Sequence, residues 1–267
     1  MIKYTFSKHV KFRKERDYMS ICNCKLLQDF KVELKFEKFI DKVNKGIRSK
    51  EIKDEKEHLL FKDFQTMNLL SKLVLKQIAP ADFKEADSLM EQHLYLGNRP
   101  RDYEFLLKKL KQNPSLFIGL YLENEIIGAI QGFPRDNYIL LSEIAVDIRF
   151  RNRKFGSLLM KEFETNAIKY EYPCIKAGAE EKAIGFYSAN GYLPSLFAQV
   201  KEKYERKALE ALEKYSYKIT AVTYVNKITG IEIASKDCNL LKLKEIRKLL
   251  SPLSAQFLFT KRLKQFC

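Results

Sequence analysis

The 267-residue sequence predicts an α+β protein, and three observations carry that reading. Stretches with strand-type alternation and stretches with helical spacing intermingle along the whole chain instead of segregating. An apolar content of 46% is that of a globular core, yet the longest apolar runs, residues 126–130 and 138–141, fall far short of a membrane span. Residues 140–160 read as strand, basic loop and helix in direct succession, and the rest of the chain is organised around them.

Residues 1–72 begin with alternating apolar positions, Val10 and Phe12 and then Met19 and Ile21, which predict a short hairpin. Leu34, Phe36, Phe39, Ile40 and Val43 then recur near i, i+3, i+4 and stop at Gly46; Leu59, Leu60, Phe64, Met67 and Leu70 repeat the pattern. The charge run at 51–57 is a solvated loop or helix entry. Residues 73–78 predict a strand, Pro80 and Asp82 open a helix to about residue 91, and 97–100 form a loop. A second helix over 103–111 ends before Asn113 and Pro114. Strands at 116–122 and 126–132 flank Glu123 and Asn124 as a tight hairpin.

The organising strand, 140–146, is rich in apolar and β-branched residues and ends at Asp147. Four cations follow within six residues, Arg149, Arg151, Arg153 and Lys154, and Gly156 precedes a helix-patterned run. A helix start presents unpaired N–H groups and the positive end of its dipole, and glycine lets a ligand approach the main chain, so this is an anion site in outline. Residues 173–177 predict a buried strand, 180–190 a helix and 196–200 another strand. Beyond residue 203 the spacing predicts a helix at 207–215, strands at 219–225 and 228–234, a basic helix at 240–250 and a last strand at 255–262. These residues, 203–267, read as a small α+β appendage; alternatively, 257–263 is the closing strand of the preceding domain behind an insertion.

The net charge of +15 is unevenly placed: +7 over residues 1–72, zero over 73–200 and +8 over 201–267. The basic flanks are read as solubility first, with nucleic acid or an acidic peptide as the alternatives. Cys22, Cys24, Cys174, Cys238 and Cys267 are too scattered for a disulfide framework. Cys22 and Cys24 are read as strand residues, no His spacing completes a metal site with them, and no metal is expected. The first residues lack a long apolar core and a small-residue cleavage site, so the expected location is cytoplasmic.

The loop Arg151-Asn152-Arg153-Lys154-Phe155-Gly156 resembles the acetyl-CoA loop of the GNAT acetyltransferase superfamily, Gln/Arg-x-x-Gly-x-Gly/Ala, with Lys154 where the family has its first glycine. Residues 180–192 resemble the family's downstream Asn-x-x-Ala-x-x-Phe-Tyr-x-x-x-Gly-Phe segment, with Glu180 in place of Asn and Tyr192 in place of Phe. The resemblance implies a GNAT-like mixed central sheet flanked by helices over 73–202. It implies acetyl-CoA as co-substrate, bound by Ile144, Ala145, Val146, Arg151, Asn152, Arg153, Lys154, Phe155, Gly156, Ser157, Glu180 and Ala183. It makes Tyr187 the general acid and places the acceptor near Tyr95, Asn98 and Arg99. Residues 1–72 resemble a small PqqD-like domain through His9, Val10, Phe12 and Arg13; such domains are winged-helix-like and hold a peptide against an edge strand.

Acetyl transfer to an amine needs a base for the amine, polarisation of the carbonyl and an acid for the thiolate. Glu143 on the organising strand is the base candidate, and backbone N–H groups near Val146 are the polarising donors that the resemblance implies. The leading reading is an N-acyltransferase acting on an amine of a peptide or protein, with a small molecule open and a homodimer open. The rival reading is a DNA-binding regulator that senses coenzyme A. Lys31, Lys35, Lys38, Lys42 and Lys45 are interleaved with Glu33, Glu37 and Asp41, which favours a solvated face over a groove reader.

Overall fold

A computed structural model describes residues 2–94 and 102–263, and the chain divides into two compact units, residues 1–131 with 143–163, and residues 132–142 with 164–267. In the first unit β1 (Ile2–Phe6), β5 (Leu70–Gln77), β6 (Phe117–Leu122) and β7 (Glu125–Pro134) form an antiparallel ladder in that order. Strands β6 and β7 are buried along nearly their whole length, which explains their almost unbroken apolar sequences. Glu123 and Asn124 join them with φ of 51° and 71°, as a two-residue turn matched to strand twist requires.

A separate antiparallel sheet holds β2 (Val10–Lys14), β3 (Tyr18–Asn23) and β4 (Gln28–Glu33). Its alternation buries Val10, Met19, Ile21 and Val32. Helix α1 (Glu37–Asn44) adds Phe39, Ile40 and Val43, and α2 (Glu55–Thr66), capped by the Asp54 side chain accepting from Glu57 N at 2.9 Å, adds Phe61 and Phe64. Together with Phe6 these side chains make one continuous core. Gly46, where the sequence pattern stops, takes φ +87° just before Ile47 bridges to Tyr4. Because β1 is laddered to β5, two backbone pairs, Ile2–Val74 and Lys3–Leu73, cross the residue-72 boundary expected from sequence.

Helices α3 (Phe83–His93) and α4 (Tyr103–Gln112) fall where their patterns predict. Strand β8 (Ile139–Val146) leads through Asp147 into α5 (Phe155–Ile168); β7, β8 and α5 give residues to both units. Gly128 on β7 lets this packing close, since a Cβ there would lie 3.2 Å from both the Ala145 carbonyl oxygen and the Leu159 side chain.

In the second unit the start of β8 pairs in parallel with β9 (Cys174–Ala179), through Ile139–Ile175, Leu140–Lys176 and Leu141–Ala177, and the ladder stops there. Beyond β9 the order is β13 (Ser254–Arg262), β10 (Leu193–Lys201), β12 (Ile228–Ala234) and β11 (Ile219–Val225), all antiparallel. The expected mixed sheet flanked by helices is therefore present. One face buries Ile175, Ala177, Phe257, Phe259, Leu196, Ala198, Ile231 and Ile233. Helices α6 (Ile184–Ala189), α7 (Glu205–Lys214) and α8 (Leu240–Leu250) contribute Tyr187, Ala208, Leu212, Leu243 and Ile246 to the buried set. The expected helix at 180–190 begins as a 3-10 turn, Glu181–Ala183.

The pairing of β13 decides what the sequence left open. It lies between β9 and β10, with α7, β11, β12 and α8 preceding it in the chain, so the last strand sits inside the sheet as the insertion alternative expects. Among the described residues no helix is long and apolar enough to cross a membrane.

Phe6 is fully buried, edge-on to Phe12 at 4.9 Å and to Phe64 at 5.2 Å. Phe6→Ala should destabilise the chain by about 3–5 kcal/mol in denaturant unfolding. A loss below about 1 kcal/mol would mean that this core is not built around Phe6.

Candidate active site

The turn after β8 is built on one carboxylate. Asp147 accepts from the Arg149 backbone N–H at 2.9 Å and from its guanidinium, whose Nη2 lies 2.6 Å from Oδ2. The same Nη2 reaches Glu125 Oε1 at 2.7 Å, and Lys8 Nζ donates to Glu125 Oε2 at 2.6 Å. Hydrogen bonds from Arg149 hold the Asp147 carboxyl below its ordinary range, and those from Lys8 and Arg149 do the same for Glu125.

The four cations of the sequence pattern therefore do different work. Arg149 is committed to carboxylates. Arg153 is half-buried; its Nη1 donates to the Phe6 carbonyl at 3.3 Å and its guanidinium lies 5.5 Å from the Phe150 ring centre. Arg151 and Lys154 are exposed, and Arg151 Nε donates to the Val146 carbonyl at 3.2 Å. Asn152 and Lys154 both take left-handed backbone conformations, φ 65° and 59°. Lys154 thus keeps the conformation expected of the glycine it replaces, at a cost of about 1 kcal/mol for its Cβ.

Helix α5 opens directly after Lys154, whose carbonyl accepts from Leu158 N at 3.1 Å. The N–H groups of Phe155, Gly156 and Ser157 precede that first helical bond and belong to the unpaired turn of a 14-residue helix. Phe155 is buried and anchors the turn, while Gly156 and Ser157 are partly exposed. This donor set, amides at a helix start with Arg151 and Lys154 beside them, fits a diphosphate.

On β8 itself Glu143 is half-buried and its Oε2 accepts from Gln131 Nε2 at 2.8 Å. Ile144 and Val146 are half-buried and Ala145 is buried. The sequence reading missed Gln131. Its only signal was an amide side chain inside the otherwise apolar run of β7.

In the second unit Tyr187 is buried, with its ring stacked 5.1 Å from Phe259 and edge-on to Phe186 and Tyr192. Burial pushes its phenol up to about 12, so it stays protonated at neutral pH. Glu180 is exposed and pairs with Lys182 at 2.8 Å; Ala183 is half-buried and its N–H donates to the Glu180 carbonyl. Tyr95, Asn98 and Arg99 lie outside the described residues.

Several N-terminal lysines are paired: Lys14 with Glu37, Lys35 with Glu33, Lys45 with Asp41 and, at 4.0 Å, Lys42 with Glu57. His9 sits in the turn before β2, its carbonyl accepting from Cys24 N–H. Cys22 and Cys24 have their sulfurs 3.8 Å apart, and among the described residues no group of three or more His, Cys, Asp or Glu could hold a metal ion.

Residues 83–192 match the sequence profile described as the Acetyltransferase (GNAT) family. No curated protein matches the chain. Solved structures similar to it include a GNAT-family acetyltransferase from Staphylococcus aureus Mu50, 17% identical with TM-score 0.42, covering 72% of this chain and 99% of that one. A GNAT-family acetyltransferase from Elizabethkingia anophelis with acetyl-CoA bound is 17% identical with TM-score 0.35, covering 72% and 98%. The PaiA N-acetyltransferase from Thermoplasma acidophilum in complex with coenzyme A is 14% identical with TM-score 0.38, covering 60% and 97%.

Two measurements test the loop. Lys154→Gly should raise the melting temperature by about 2 °C by removing the left-handed strain; an unchanged or lower value would mean the lysine side chain holds the turn. Carboxyls depressed in the folded state lend stability that is present above their unfolded values near pH 4 and is lost as pH falls through the folded ones. The melting temperature of the wild type should therefore drop more steeply below about pH 4 than that of Arg149→Met. Parallel acid limbs would show that the Arg149 network is not their source.

Proposed function

We propose that the GNAT acetyltransferase domain at residues 83–192 moves an acetyl group from acetyl-CoA to an amine of a peptide or protein. The observation that carries this is the loop from β8 into α5, where the main chain at Lys154 turns with φ 59° directly before the first amides of α5, which precede its first helical hydrogen bond. The chain's charge supports the same co-substrate: Arg151 and Lys154 are exposed there, while Arg149, also exposed, is paired with Asp147 and Glu125, and Arg153 donates to the Phe6 carbonyl.

In this reading the loop amides and Arg151 hold the diphosphate of acetyl-CoA. Glu143 takes a proton from the amine, directly or through water, and the amine nitrogen forms its bond to the acetyl carbon. Backbone N–H groups near Val146 stabilise the charge that grows on the carbonyl oxygen. The carbon–sulfur bond breaks, and Tyr187, whose phenol is protonated at neutral pH, supplies the proton for the thiolate. Tyr95, Asn98 and Arg99 remain the proposed acceptor contacts. For the partner, an extended peptide could add to an edge of the β2–β3–β4 sheet, as the PqqD resemblance implies. The interleaving of the lysines around α1 with Glu33, Glu37 and Asp41 favours a solvated face over the DNA-binding alternative.

The test uses the full chain with acetyl-CoA and a panel of amines: peptides with free N-termini, lysine-containing peptides and spermidine. Thiol release should exceed the amine-free blank with a peptide. Absence of both turnover and calorimetric acetyl-CoA binding would overturn the reading. Gly156→Glu places a side chain and a negative charge at the helix start and should abolish acetyl-CoA binding with the fold intact. Tyr187→Phe should lower kcat roughly a hundredfold with unchanged acetyl-CoA affinity; an undiminished kcat would remove Tyr187 from the mechanism.

A further inference from the structure

Gln131 is the one polar side chain in the apolar interior of β7, and it is fully excluded from solvent. Its amide nitrogen donates to Glu143 Oε2 at 2.8 Å, while its own Oε1 is buried without a hydrogen-bond partner. A buried amide with an unsatisfied carbonyl is unfavourable, and a methionine would fill similar space without it. Packing therefore does not account for a glutamine here. The hydrogen bond to Glu143 does.

We infer that Gln131 is a positioning residue for the acceptor base, an inference that rests on the proposed role of Glu143. The N–H···Oε2 bond fixes the plane of the carboxylate and disfavours a proton on Oε2, so the amine proton is directed to Oε1. The orientation of the Gln131 amide follows from the same contact, because the reverse orientation would set its carbonyl against the carboxylate. The chemistry implies an acceptor that arrives as an ammonium and must be deprotonated on the enzyme, which is the case for peptide and polyamine nitrogens near neutral pH.

A double-mutant cycle on the full chain tests this, with Gln131→Met, Glu143→Gln and the combination, assayed with acetyl-CoA and whichever panel amine turns over fastest. Gln131→Met should lower kcat about tenfold or more, with acetyl-CoA affinity and melting temperature close to wild type. Its deficit should shrink as pH rises, since an amine that loses its proton in solution has less need of the base. In the Glu143→Gln background the second substitution should change kcat less than twofold, because a residue that acts through Glu143 has nothing left to position. An equal loss in both backgrounds, or an undiminished kcat in Gln131→Met, would overturn the inference. An undiminished kcat in Glu143→Gln would instead remove the base assignment on which it rests, while leaving the transferase reading standing.

Discussion

The Asp147 carboxylate is the constraint on which the candidate site depends. It ends β8, accepts the Arg149 backbone N–H and binds the Arg149 guanidinium, which in turn ties in Glu125 and, through it, Lys8. These groups are partly exposed, so each pair contributes little stability by itself. Their effect is geometric. With Arg149 paired to Asp147 on β8's end and to Glu125 on β7, the chain turns through Asn152 and Lys154 into α5, with the exposed Arg151 and Lys154 in the turn.

Most elements were legible because they are local. Alternation in β3 and β10, i, i+3, i+4 spacing in α1 and α7, and the turn residues Glu123 and Asn124 each state their conformation within a few positions. What was not legible is non-local pairing. The sequence of β13 alternates in the same way whether it lies at an edge or inside a sheet, so its insertion between β9 and β10 leaves no trace in its own residues. The ladder from β1 to β5 escaped for the same reason: residues 2–6 and 70–74 bear no mark of each other beyond shared apolar character.

At the site the loop was legible as a motif and the division of labour within it was not. Four cations in six residues read as one basic cluster, yet what each of them binds depends on Asp147 inside the loop, on Glu125 in a neighbouring strand and on the Phe6 carbonyl far away in sequence. Lys154 looked like a departure from the glycine pattern, and its left-handed backbone shows that conformation can be kept where residue type is not. Gln131 shows the converse: a change from apolar to amide at one position of β7 is a weak signal in sequence and a specific one once Glu143 is seen opposite it.

The uneven charge follows from the same separation of tasks. Lys14, Lys35, Lys42 and Lys45, around α1, lie beside carboxylates, so part of the positive charge of residues 1–72 is met locally. A net charge of +15 still sets up a long-range field that favours approach of polyanions, and this acts on encounter rate and fades with salt. Selection among those polyanions has to come from groups with fixed direction. The amides at the start of α5 have that property and surface lysines do not, because a flexible ammonium accepts a phosphate from many angles whereas a helix terminus presents its donors along one axis. In the proposed reading the overall charge serves collision, and the backbone of one loop serves recognition.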